Sequence, residues 1–311
     1  MAAIDVRHLS KTFTTGSRRR RGSIEAVRDI SFSVAEGERL AYIGPNGAGK
    51  STSIKMLTGI LYPTDGDASV LGYVPWCERR ALVRHIGTLF GQRSQLWSEL
   101  PARRSLELLG TIYGLGDPAS RIAELAELLE AAPLLDVPVR NLSLGQRMRC
   151  ELAAAMLHEP RILFLDEPTI GLDLVAKQRF REAVMRLNSD RGTTIFLTSH
   201  DVADIEHVAR RVIVINHGAL IYDDKVSAMR RSLLRTKLVE VRFDEEPGPI
   251  DIEGVEVLKA AALGYKLTVD TARRPIRAVL DDLLDGYAVG DISVVDPPLE
   301  RVISQIYETP R

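Results

Sequence analysis

The chain has 311 residues, 45% of them hydrophobic, with 41 basic and 42 acidic side chains and a formal net charge of −1. That length suits one large domain plus a small one, and the apolar content supports a true core. The balanced charge gives no global pull toward nucleic acid or an anionic surface. Cys77 and Cys150 fit neither a disulfide framework nor a metal site. They point to a reducing, intracellular compartment. The start, Met1 to Arg7, lacks the apolar core of a signal peptide, and no apolar run is long enough to span a bilayer. Work at a membrane would need another chain.

In chain order, Ile4 to Leu9 and Ile30 to Val34 read as short strands. Phe13 ends the first strand, either as a stacking platform for a base or as a core residue. Thr14 to Ser23 is a loop holding the run Arg18 to Arg21, which is either a solvated surface or a contact for phosphates. Arg39 to Ile43 is a strand. It leads into Gly44-Pro45-Asn46-Gly47-Ala48-Gly49-Lys50-Ser51-Thr52, which fits the P-loop spacing. Glycines let successive N–H groups curl around phosphate oxygens. Lys50 reaches the β- and γ-phosphates, and Ser51 offers its hydroxyl to Mg²⁺. A helix beginning near Ser51, with Ile54, Leu57 and Leu61 at helical spacing, adds its positive end.

Ile86 to Gly91 is a further strand, followed by Gln92. From Pro101 to Leu135 the apolar residues recur at helical spacing, first Leu106, Leu109 and Tyr113, then Ile122, Leu125, Leu128 and Leu129. This is a helical insertion, about residues 95–160, in an otherwise α/β domain. Ser143 with Gln146 is a capping-box pattern opening a helix through Met148, Leu152 and Met156. Such a helix start can hold an anion.

Ile162 to Leu165 is a buried-type strand ending in Asp166-Glu167. Carboxylates at the carboxyl end of such a strand sit where α/β sheets bind ligands. Asp166 is placed to hold Mg²⁺ and Glu167 to take a proton from an attacking water. Pro168 to Asp173 is a turn before a helix from about Leu174 to Asn188. The strand Thr193 to Thr198 ends in Ser199-His200, and His200 is a candidate for touching a γ-phosphate. His217-Gly218 marks a hairpin.

After about Lys225 the pattern changes. Leu238 to Phe243 alternates, Val255, Val257, Leu267 and Val269 suggest two strands, and Ile276, Val279, Leu280, Leu283 and Leu284 mark an amphipathic helix. Val289 to Val295 is a strand, and Asp296 caps a last helix carrying Leu299, Val302, Ile303 and Ile306. This small α+β part shows no catalytic constellation.

The order P-loop, Gln92, Leu142-Ser143-Leu144-Gly145-Gln146, Asp166-Glu167, Asp173, His200 resembles the nucleotide-binding subunit of an ABC transporter, over roughly Ala2 to Ala228. The resemblance implies a P-loop NTPase fold with a helical subdomain, residues 1–228, and an accessory α+β domain, residues 235–311. It implies ATP and Mg²⁺ as cofactors. Phe13 would then stack on adenine, Gln92 would sense Mg²⁺ and water, and Ser51, Gln92 and Asp166 would hold the metal. Glu167, His200 and Gln92 would be catalytic, and Asp173 would serve communication between subunits. Ser143, Gly145 and Gln146 would meet the ATP of a second subunit, in a head-to-tail homodimer. Two departures stand out: Leu144 replaces the commoner glycine, and the arginine run lengthens the connection after Phe13.

Phe90 to Trp97 and Pro168 to Asp173 are similar to bacterial efflux ATPases of the daunorubicin and viologen kind. These work with separately encoded permeases, so the expected place is the cytoplasmic face of the membrane, with no nucleic-acid partner. Leu96 and Trp97 offer a docking surface for the permease, or else pack locally. The rival is a soluble ABC ATPase acting on ribosomes or DNA, favoured only by Arg18 to Arg21.

Overall fold

A computed structural model of the chain describes residues 2–15, 22–90, 93–232 and 236–296, together with 303 and 306. Gln92, the run Arg18 to Arg21 and most of the helix expected after Asp296 lie outside the described residues. Internal contacts divide the chain into two units, residues 1–224 and 225–311.

The first unit opens on two long strands, β1 (Ala2–Thr15) and β2 (Gly22–Ala35). They run well past the short strands expected, because antiparallel pairing with bulges carries the ladder out to Thr15 opposite Gly22. Next come β3 (Arg39–Ile43), α1 (Lys50–Leu57) and β4 (Asp65–Val70). Then follow α2 (Arg79–Leu82), β5 (Ile86–Phe90), α3 (Ala102–Tyr113), α4 (Pro118–Leu128) and α5 (Leu144–Met156). The unit continues with β6 (Ile162–Asp166), α6 (Leu174–Arg191), β7 (Thr194–Thr198), α7 (Val202–Val208), β8 (Arg211–Asn216) and β9 (Ala219–Lys225).

The central sheet has the order β5-β6-β7-β3-β8-β9, and a smaller sheet has the order β2-β1-β4. β5, β6, β7, β3 and β8 pair in parallel. Alternation along the strands sends side chains to two cores. Ile162 and Phe164 of β6 join Tyr42, Phe196 and the apolar side chains of β1 and β2. Tyr42 and Phe164 each lie 5.4 Å from the Phe196 ring. Leu163 and Leu165 face the other way, onto the α3–α6 layer with Leu106, Leu125, Leu152 and Val184. Leu96 is 5% exposed and belongs to this second core, so of its two readings the local packing holds, whereas Trp97 is 42% exposed.

The second unit holds α8 (Val226–Ser232), β10 (Thr236–Phe243), β11 (Val255–Ala261), β12 (Gly264–Asp270), α9 (Ile276–Gly286) and β13 (Val289–Val295). Its sheet runs β11-β12-β10-β13. Val239, Val241 and Phe243 pack with Leu267, Val269, Val279 and Leu283 in a core of their own. Leu284, expected on the apolar face of α9, is exposed.

Candidate functional site

The carboxyl ends of β3, β6 and β7 bring the charged residues together. After β3 the loop turns through Gly47 and Gly49, whose φ angles are +82° and +111°. Gly49 is required twice over. Its φ disfavours any other residue, and a Cβ there would stand 2.3 Å from the Ala26 carbonyl oxygen. Gly218 N–H donates to Ala48 O at 3.0 Å, so the β8–β9 turn props the loop from behind. α1 then starts at Lys50 with no side-chain cap on its first N–H groups. Those donors and the helix dipole suit an anion.

Lys50 is 7% exposed. Its Nζ donates to Gly44 O at 2.6 Å and to Pro45 O at 3.3 Å, and stands 3.8 Å from Glu167 Oε1. Ser51 Oγ donates to Asp166 Oδ1 at 3.3 Å. His200 Nδ1 is 2.8 Å from Glu167 Oε2. The structure therefore gathers Lys50, Ser51, Asp166, Glu167 and His200 at one end of the sheet. Glu167 itself has φ +52°, in the left-handed region that non-glycine residues seldom occupy.

Beneath this group lies a buried network that the sequence reading missed. Asp204 of α7 is 1% exposed. It accepts from Thr169 Oγ1, from Ser199 Oγ at 2.8 Å and from Arg181 Nε at 2.6 Å. It thus ties the turn after Glu167 and the residue before His200 to α6. Asp201 caps α7 through Ala203 N–H and pairs with Lys177 at 2.6 Å. Burial opposes its charge, but the Lys177 hydrogen bond and the Lys177 and Arg181 charges outweigh this and hold the carboxyl below its ordinary value.

Ser143 caps α5 in a full capping box. Its Oγ accepts from Gln146 N–H at 3.3 Å, and Gln146 Oε1 accepts from Ser143 N–H at 2.9 Å. Leu144 packs into the core of its own chain beside Gly171 rather than standing over the helix start. Gly145 abuts α6, where a Cβ would lie 2.7 Å from the Ala176 methyl. Asp173 caps α6 by accepting from Ala176 N–H at 2.8 Å. No hydrogen bond or ion pair joins Ser143, Gly145 or Gln146 to the Lys50–Glu167 group among the described residues. Phe13 stands apart as well. It is 36% exposed, with Lys11 Nζ 5.3 Å from its ring centroid.

Comparison with known proteins gives the family. The ABC transporter family model matches residues 27–170. The ABC transporter ATP-binding protein NatA of Bacillus subtilis (strain 168) is 31% identical over 226 residues, 71% of this chain and 92% of that protein. The daunorubicin resistance ATP-binding protein DrrA3 of Streptomyces coeruleorubidus is 32% identical over 302 residues, 92% of each. A solved dimeric structure of a bacterial ABC transporter cassette superposes with a TM-score of 0.64 at 25% identity, over 72% of this chain and 98% of that one. The chain belongs to the ATP-binding proteins of ABC transporters, a family of ATP-hydrolysing P-loop enzymes.

Proposed function

We propose that two copies of this chain close head-to-tail around two ATP molecules and thereby drive a separate membrane permease in the direction of export. The observation that carries this reading is the division of the site. The phosphate cradle at Lys50 and the capped helix start at Ser143 are each formed within the chain, yet no hydrogen bond joins them among the described residues. A second copy would supply the missing half. The dimeric cassette among the solved structures supports the pairing. The resistance function named for DrrA3, and for the linearmycin resistance protein LnrL of Bacillus subtilis, supports export. Among the described residues no helix is long and apolar enough to cross a membrane. In this reading the transport path belongs to a partner chain, at whose cytoplasmic face this one would sit.

In this reading Lys50 exchanges the Gly44 and Pro45 carbonyls for β- and γ-phosphate oxygens. Glu167 accepts the proton of the attacking water, a role typically contributing ~10²–10⁴-fold in rate. His200 holds that carboxylate in place. Ser51 and Asp166 form an all-oxygen donor pair that suits Mg²⁺. The ion, when bound there, neutralises phosphate charge. Gln92 is the third contact by resemblance. Phe13 would stack on adenine from the face opposite Lys11, and Asp173 would lie at the contact between copies. Residues 1–228 would do this work, and residues 235–311 would serve assembly or regulation.

The test is Glu167→Gln. Without the proton acceptor, ATP should bind and persist. Size-exclusion chromatography in Mg-ATP should then give a dimer for the variant and mostly monomer for the parent chain. Adding Ser143→Arg should dissolve that dimer. A variant that binds ATP yet stays monomeric at saturation defeats the pairing, and hydrolysis at the parent rate removes Glu167 as the base.

A further inference from the structure

Thr198, the last residue of β7, is fully buried. The parallel ladder sets it directly beside Asp166. Its Oγ1 donates to Asp166 Oδ1 at 2.6 Å and accepts from Glu167 N–H at 3.1 Å. A hydroxyl has one proton and two lone pairs. An ionised carboxylate only accepts and a backbone N–H only donates, so these two bonds fix the hydroxyl's rotation. Glu167 N–H also reaches the Thr198 carbonyl oxygen at 3.1 Å. One residue therefore holds both neighbouring acids.

The consequence differs for each acid. Asp166 Oδ1 accepts hydrogen bonds from both the Thr198 and the Ser51 hydroxyls. Its carboxylate is thus locked in the orientation that faces the P-loop helix. Glu167 keeps a left-handed backbone, φ +52°, which persists only where the surroundings over-determine it. Its N–H is fastened on the Thr198 side of the sheet, while its side chain extends to His200.

We infer that Thr198 is a positioning residue of the hydrolytic site, whose hydroxyl joins Asp166 and Glu167 into one fixed pair. This rests on the roles proposed above for those two acids. The plain alternative is a strand-end threonine that merely satisfies its own buried hydroxyl. The two differ in what an isosteric change does. Thr198→Val keeps the shape and removes both hydroxyl bonds. Thr198→Ser keeps the bonds and removes only a methyl group.

The experiment compares these variants with the parent and with Glu167→Gln, all as full-length chains. Residues that orient a metal ligand or a catalytic group typically cost 10–100-fold when changed, so Thr198→Val should lower kcat by about that much while leaving KM for ATP within about threefold. Thr198→Ser should recover most of the rate. A fluorescent ATP analogue provides a readout apart from turnover. Its affinity without Mg²⁺ should be unchanged in Thr198→Val, and the gain on adding Mg²⁺ should shrink.

A Thr198→Val chain with parental kcat and parental Mg²⁺ gain overturns the inference, as does a Thr198→Ser chain as slow as the valine. If the valine variant does not fold, Thr198→Cys, a poor donor and acceptor of similar size, replaces it under the same criteria. Glu167→Gln separates the two levels of argument. If it hydrolyses normally, the reading of the site fails. If it is inactive while Thr198→Val is normal, only the role of Thr198 fails.

Discussion

The backbone N–H of Gln95 donates to Glu151 Oε2 at 2.9 Å, which fastens the segment just beyond Gln92 to the helix that begins at Ser143. The other Glu151 oxygen takes the Ser94 hydroxyl. Gln95 Nε2 reaches back to Thr88 O on β5 at 2.7 Å. Residues 94–96 are thus clamped between the central sheet and α5.

Glu151 carries a pH signature. Burial pushes its carboxyl above the ordinary carboxylate value, and the bonds from Ser94 and Gln95 offset this only in part. Between the ordinary value and the raised one, the folded chain therefore binds this proton more tightly than the unfolded chain does. The resulting stability is fully present below the unfolded value of about 4.5 and is lost as pH rises through the raised folded value. Glu151→Gln, neutral throughout, has no such slope. Urea midpoints measured from pH 4 upward should move in favour of the variant relative to the parent as pH rises. A constant difference would contradict the assignment of the shift to Glu151.

Asp204 should prove the most sensitive position behind the site. Arg181 and Asp204 are 8% and 1% exposed at 2.6 Å separation, and breaking such a buried pair from one side costs about 3–5 kcal/mol. Asp204→Ala also leaves Thr169 and Ser199 without their acceptor. Denaturant unfolding should show a loss of that size, and the folded fraction should hydrolyse ATP poorly because the turn before His200 is released. A loss under about 1 kcal/mol, typical of an exposed pair, would show that Asp204 does not anchor the two turns.

Lys50→Ala removes the only cation that the structure sets between the P-loop carbonyls and Glu167, counted among the described residues. ATP binding measured by titration calorimetry should weaken strongly and hydrolysis should vanish, because charge-assisted bonds to phosphate are roughly twice as strong as neutral ones. Hydrolysis at the parent rate would place the active site elsewhere.

The sequence made the central sheet plain wherever burial is continuous, as along Ile162 to Leu165, since a parallel strand covered on both faces reads that way. β4 escaped notice because Asp65-Gly66-Asp67 is polar and the strand owes its pairing to β1 alone. The gathering of Lys50, Ser51, Asp166, Glu167 and His200 was foreseeable from motif order. Glu151, Thr198 and Asp204 were not. Each is a polar residue whose burial depends on partners far along the chain, and no local periodicity announces it. Leu96 stayed open between two readings for the complementary reason: a loop position does not show whether the core reaches up to claim it.

In the proposed dimer the capping box at Ser143 would divide one oxygen atom between two tasks. As a cap it uses a lone pair, accepting from Gln146 N–H. Its own proton has no part in that bond and remains available to a guest. Aspartate would serve the first task as well as serine, but it has no proton to offer and would repel a phosphate. Alanine would serve neither, and threonine could serve both. A small neutral hydroxyl is the chemistry that meets both demands at once. Because the helix start is secured by its own residues, it would stand ready before any anion arrived, and in the proposed dimer binding would not first have to build the surface that receives it.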